Sequence, residues 1–142
     1  MAVSPLSVSI KGRFSNLNLA NPFDIVFKAR KGVTTKVFYD FADSINMPEK
    51  KLALLLNLSS RTIANYKEQN KTLEPAQSEH LLKLIAFFKK GEEVFGNIEE
   101  FNYWLNKPFW NAKEKPIDWL VTPGGVDLVM DELERLSHAY AV

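Results

Sequence analysis

The stretch Glu49 to Tyr66, EKKLALLLNLSSRTIANY, restricts what this chain can fold into more than any other part of it. Leu52, Ala53 and Leu56 share one side of a first helix, because positions one, three and four apart fall on the same face. Asn57 stands where the chain must leave that helix with a left-handed backbone, which Asn tolerates better than any residue except Gly. Leu58 turns back towards the core, Ser59 or Ser60 is placed to cap a second helix through its hydroxyl, and Ile63 and Tyr66 anchor that helix. Small Ala53 lets the two helices cross closely. The unit reads as a helix-turn-helix whose outward residues are Ser59, Ser60, Arg61, Thr62, Asn65 and Lys67. Such a unit either enters the major groove of DNA or serves packing alone, and the spacing by itself leaves both readings open.

A chain of 142 residues suits one domain or two small ones, and 46% hydrophobic content is ample for a core. No apolar run approaches the roughly 20 residues of a membrane span. The opening MAVSPLSVSIKGRFS lacks the continuous apolar region of a signal peptide, and Cys is absent, so the expected home is a reducing cytoplasm. The formal net charge of +1 is low for a protein that displaces counterions from DNA. Charge is nevertheless segregated. Lys11, Arg13, Lys28, Arg30, Lys31 and Lys36 cluster in one early segment, whereas Glu92 to Glu134 is mainly acidic. One end suits phosphate and the other a different partner, although ordinary solvated surface gives the same pattern.

Periodicity places the remaining elements. Residues 1–21 carry no sustained helical period and are expected to form a loose or weakly extended arm. Asn21 and Pro22 open a helix that stops at Gly32, and Thr34 or Thr35 begins another with Val37, Phe38, Phe41 and Ile45 inward. Together with the helix-turn-helix these make a domain over 22–74. After Tyr66, KEQNKTLEP reads as an exposed connection without apolar anchors. Residues 75–95 form a long connecting or dimerising helix, apolar at Leu81, Leu82, Leu84, Ile85, Phe88, Val94 and Phe95, weakened at Gly91 and capped by Gly96. A compact aromatic domain follows over 96–142: a helix over Ile98 to Leu105, a turn over Pro116 to Leu120, and a last helix begun by Thr122-Pro123. Its stripe is Val126, Val129, Met130, Leu133 and Leu136. The fold class is all-α.

Little here suggests catalysis. His80 and His138 have no ligand-type neighbours at metal spacing, Ser59 and Ser60 have no nucleophile-base motif, and Gly124-Gly125 is too short for a phosphate loop. Glu92-Glu93 and Glu99-Glu100 read as hydrated helix faces. No catalytic residue, metal site or cofactor is expected. Arg61 is placed to make two hydrogen bonds to a guanine edge, its alternative being an internal salt bridge. Asn65 suits an adenine edge, and Lys67 and Lys71 suit phosphate. Trp104 and Trp119 are expected in the core. Trp110, beside Asn111 in a Pro- and Lys-rich connection, is a candidate interface anchor.

From Lys51 through Leu136 the chain resembles the Xre-type antitoxins of the MbcA/ParS/Xre group. The residues that carry the resemblance are Leu58-Ser59-Ser60-Arg61-Thr62-Ile63, Leu73, Pro75, Ser78-Glu79 and Leu81-Leu82-Lys83-Leu84. They continue with Val94-Phe95-Gly96, Trp104-Leu105, Pro116, Trp119-Leu120, Thr122, Gly125, Val129 and Leu133. The resemblance implies an N-terminal Xre-like helix-turn-helix domain followed by a small helical toxin-binding domain. It implies a homodimer within a toxin-antitoxin hetero-oligomer, a RES-domain toxin partner that consumes NAD, and operator DNA as a second partner. Under it Trp110, Asn111, Leu136, His138, Tyr140 and Val142 become toxin-binding candidates. The chain departs from the family's pattern at Asn57, where many members have Gly, at Ile63-Ala64-Asn65-Tyr66-Lys67, where a basic cluster is usual, and at His80, where Arg is frequent. A stand-alone transcription regulator and an adapter without DNA binding are the alternatives.

Overall fold

A computed structural model describes residues 9–19, 21–108 and 113–140. Among these the secondary structure is helical apart from one isolated antiparallel bridge between Thr34 and Thr72. The helices are α1 (Ile10–Arg13), α2 (Pro22–Lys31), α3 (Thr35–Ser44), α4 (Glu49–Leu55), α5 (Ser60–Glu68), α6 (Pro75–Phe95), α7 (Ile98–Leu105) and α8 (Pro123–Tyr140), with a 3₁₀ helix over Pro116–Val121.

The termini of these elements follow from their sequences. The Asn21 side chain accepts from the Phe23 N–H with Pro22 in the first turn, and Gly32 leaves α2 at φ 88°. Asn97 caps α7 by accepting from the Glu100 N–H. The Thr122 hydroxyl accepts from the Gly125 N–H at 3.0 Å at the start of α8. Three helices end on an asparagine with positive φ: Asn46 at 55°, Asn57 at 60° and Asn70 at 55°. At each the following N–H bonds back over the helix end: Met47 to Ala42, Leu58 to Ala53, Lys71 to Tyr66. Otherwise unpaired last-turn carbonyls are thereby satisfied.

Helix α6 is the axis of the molecule, packed against α1, α2, α7 and α8. Leu81, Leu82, Leu84, Ile85, Phe87 and Phe88 are all buried. These residues are covered within one chain, so α6 bridges the N- and C-terminal parts. An aromatic cluster fills the centre: Phe88 lies 5.4 Å from Phe41 and 5.2 Å from Phe101, and Phe95 lies 5.6 Å from Trp104. Gly91 is where α7 seats, because a Cβ there would overlap the Phe101 ring.

Three expectations are corrected. Residues 9–19 are not a loose arm: Ser9 caps α1, and Ile10, Phe14 and Leu19 are buried. Lys89 donates to the Phe14 and Leu17 carbonyls at 2.9 and 3.0 Å, and the Ile10 N–H to Glu92 at 3.3 Å. An i, i+4 apolar pair too short to show a period is held by long-range contacts. The connection after α5 is also anchored, since Leu73 is buried and its N–H donates to the Val33 carbonyl at 2.9 Å. Trp119, finally, is 37% exposed. The 3₁₀ period of three puts Ile117 and Leu120 inward together and leaves Trp119 on the other side.

Candidate functional site

The helix-turn-helix is α4, the Asn57 turn and α5. Leu52, Ala53, Leu56 and Ile63 are buried, while Leu58 and Tyr66 pack at its edge. Ser59 caps α5: its oxygen accepts from the Thr62 N–H at 3.0 Å, and the two hydroxyls lie 2.8 Å apart. Both hydroxyls therefore set the start of the recognition helix. Ser60, Arg61, Asn65 and Lys67 are exposed along it, and Lys71 is exposed just beyond its end. Arg61 has no salt bridge among the described residues. Lys67 and Lys71 rest over the Tyr39 and Tyr66 rings at 5.1 and 4.9 Å. Those contacts direct two cations along the surface while leaving them accessible to an anion.

The turn is wired to the C-terminal part. Asn57 donates from its side-chain amide to the Val121 carbonyl at 3.1 Å. This is a tie that glycine could not make. A second tie to the 3₁₀ helix comes from α6: His80 Nε2 is 2.8 Å from the Leu120 carbonyl, and the residue is 3% exposed. With a carbonyl as its partner, Nε2 is the donor. Burial pushes the His80 pKa below its ordinary value, the bond to Leu120 opposes that shift, and the Lys83 charge adds to it. His80 is thus a satisfied internal residue.

In the C-terminal part the predicted residues are scattered in kind. Trp110, Asn111 and Val142 fall outside the described residues, as does the Tyr140 side chain at the end of α8. Leu136 is half-buried and His138 exposed. Trp104 is half-buried and stacked 5.9 Å from Phe101. The structure adds an apolar surface that sequence reasoning missed. Trp119, Val121 and Leu128 are 37%, 41% and 52% exposed around a cleft of about 650 Å³ that Glu114, Asp118 and Gly125 also line. Leu128 stands off the Val126–Val129–Leu133 stripe, a helical-phase signal that marks it as outward. Gly125 brings α8 against the 3₁₀ helix, where a Cβ would overlap the Trp119 carbonyl.

Two family models match the chain in tandem. Residues 24–86 match the antitoxin Xre-like helix-turn-helix domain. Residues 90–138 match the antitoxin Xre/MbcA/ParS C-terminal toxin-binding domain. The two stretches meet within α6. No curated protein matches the chain.

Proposed function

The chain belongs to the Xre-type antitoxins, and on that premise we propose that it neutralises a RES-domain, NAD-consuming toxin by covering the toxin's active site and represses its own operon through α5. It acts by binding, without a catalytic step of its own, in the cytoplasm where NAD and the operator are found.

The observation that carries this reading is the Trp119, Val121 and Leu128 surface inside the matched toxin-binding stretch. Single exposed apolar residues are ordinary, whereas a contiguous set around a cleft costs solubility and marks a surface that a partner covers. Tryptophan is also the residue type that most often anchors an interface. The operator reading rests on α5, where Arg61 and Asn65 are free to meet base edges and Lys67 and Lys71 to meet phosphate.

A second copy is proposed to dock on α2. Phe23, Val26 and Phe27 are 73%, 44% and 59% exposed and follow an i, i+3, i+4 stripe. Asp24 lies near the start of α2 and Lys28 near its end. Antiparallel pairing of two such helices about a two-fold axis sets opposite charges and opposite dipole ends against each other. The near-neutral net charge of +1 favours one other reading, an adapter that no longer binds DNA.

One pair of variants separates these functions. Trp119→Ala with Leu128→Ser should weaken toxin binding by about 2 kcal/mol or more and lose protection of cells that express the toxin, with operator binding retained. Arg61→Ala should abolish preference for the upstream DNA, a loss of about 1–3 kcal/mol in discrimination, while toxin binding stays intact. Survival and NAD level in co-expressing cells, beside a gel-shift on the upstream DNA, read both. Equal loss of both activities in either variant would indicate a folding defect, and unimpaired protection by the Trp119/Leu128 variant would sink the toxin-facing assignment.

A further inference from the structure

The recognition helix carries little positive charge, yet a basic cleft adjoins its far end. Arg30 and Lys31, the last residues of α2, line a cleft of about 390 Å³ with Asn70 and Lys71 from the segment that follows α5. Glu74 is the one acidic side chain among the residues that line it. Arg30, Lys31 and Lys71 have no salt bridge among the described residues, so the cleft holds three cations against one anion.

Backbone contacts build this arrangement. Thr34 bridges to Thr72, Leu73 donates to the Val33 carbonyl, and Gly32 turns at φ 88°. A Cβ at Gly32 would lie 2.9 Å from Thr72 Cβ, and closer still to its hydroxyl, so only glycine lets the end of α2 approach so closely. Cations at a helix C-terminus offset the macrodipole, which explains one basic residue there without any ligand. It does not explain the convergence of Lys71 and Asn70 from another segment.

We propose that Arg30 and Lys31, with Lys71, form a clamp on the phosphate backbone of duplex DNA, outside the helix-turn-helix itself. The inference rests on the operator-binding reading of α5. Its geometry suits B-form DNA. Helix α5 has 9 residues and rises about 13 Å, close to the roughly 12 Å width of the major groove. A helix of that length with its start in the groove brings its far end to the flanking backbone. The cleft sits at that end, and it supplies the positive charge that α5 lacks.

Salt dependence tests the clamp. Fluorescence anisotropy between about 50 and 200 mM salt would use a duplex from immediately upstream of the coding sequence and a scrambled duplex of the same length. Arg30→Gln/Lys31→Gln should lower the slope of log affinity against log salt by about two, one for each phosphate that is no longer neutralised. Affinity for both duplexes should fall by the same factor, with toxin affinity and helix content unchanged. The charge-preserving pair Arg30→Lys/Lys31→Arg should keep the wild-type slope. A wild-type slope in the Gln pair overturns the clamp, as does a loss of toxin affinity with DNA binding intact, which would assign the cleft to the toxin. If the wild-type protein binds neither duplex, the operator reading falls and takes the clamp with it.

Discussion

At the scale of single residues, the side chains that matter most are those that do two things at once. Asn57 accepts the left-handed backbone that ends α4 and, through its amide, holds the Val121 carbonyl beside the exposed Trp119. Glycine would serve the first purpose and lose the second. His80 holds the adjacent Leu120 carbonyl from α6. His80→Ala would strand the buried Leu120 carbonyl, at a cost of about 1–3 kcal/mol, readable as a lowered midpoint in urea. His80→Gln keeps a nitrogen donor and should recover part of that loss. The pH dependence has a definite sign. The folded-state pKa is held below the ordinary 6.5, so the unfolded chain takes up the proton first as pH falls. Stability from the neutral imidazole is whole above 6.5 and declines as pH falls through that value towards the folded-state pKa. The wild-type midpoint should therefore drop as pH falls below about 6.5, and the Gln variant should show a flatter profile over the same range.

For elements, packing overrides propensity at identifiable positions. Read from sequence, Gly91 is a weak point in α6, and replacing it with Ala would gain about 1 kcal/mol of helix propensity. In the fold a Cβ at this position would overlap Phe101, whose ring is fixed among Phe87, Phe88, Phe95 and Trp104. Overpacking of that kind costs about 1–3 kcal/mol, so Gly91→Ala should destabilise the protein. A thermal melt that rises instead would show that α7 can move away freely. The 3₁₀ helix offers the converse case. Its period of three turns Trp119 outward, although tryptophan composition alone suggests a core residue. Helix α5 keeps only Ile63 fully buried, with Tyr66 packed beside it, and the Ser59 cap fixes where the helix starts.

For the molecule as a whole, α6 packs against α1 and α2 on one part and α7 and α8 on another, while α4 meets the 3₁₀ helix, so the helix-turn-helix domain and the toxin-binding domain share one core. Burial thins along α8 towards its end. Val126, Val129 and Leu133 are buried, whereas His138 and Ala139 are exposed. Removal of residues 137–142 should then leave the melting temperature within a few degrees of wild type, a change of less than about 1 kcal/mol. Because the family resemblance makes His138, Tyr140 and Val142 toxin-binding candidates, the same truncation should weaken neutralisation. Full protection of cells by the truncated protein would show that the tail does not enter the toxin's site.

Local signals in the sequence determined the all-α class, the helix-turn-helix packing residues, the Asn21 and Thr122 caps and the glycine stops at Gly32 and Gly96, and narrowed the α5 cap to Ser59 or Ser60, of which the structure selects Ser59. Each depends on residues within about one helical turn of each other, where spacing alone dictates the partner. Contacts between distant segments were decided by the tertiary structure. It drew Ile10, Phe14 and Leu19 onto α6, pinned Leu73 to Val33, and turned Trp119 outward to join Val121 and Leu128. It also brought Arg30 and Lys31 beside Lys71, which lies far along the chain from both. Charge and apolar surface act through distance in space, which a sequence fixes only after helices have packed, and so the caps and the outward face of α5 were legible from the chain while the surfaces assembled from distant segments were not.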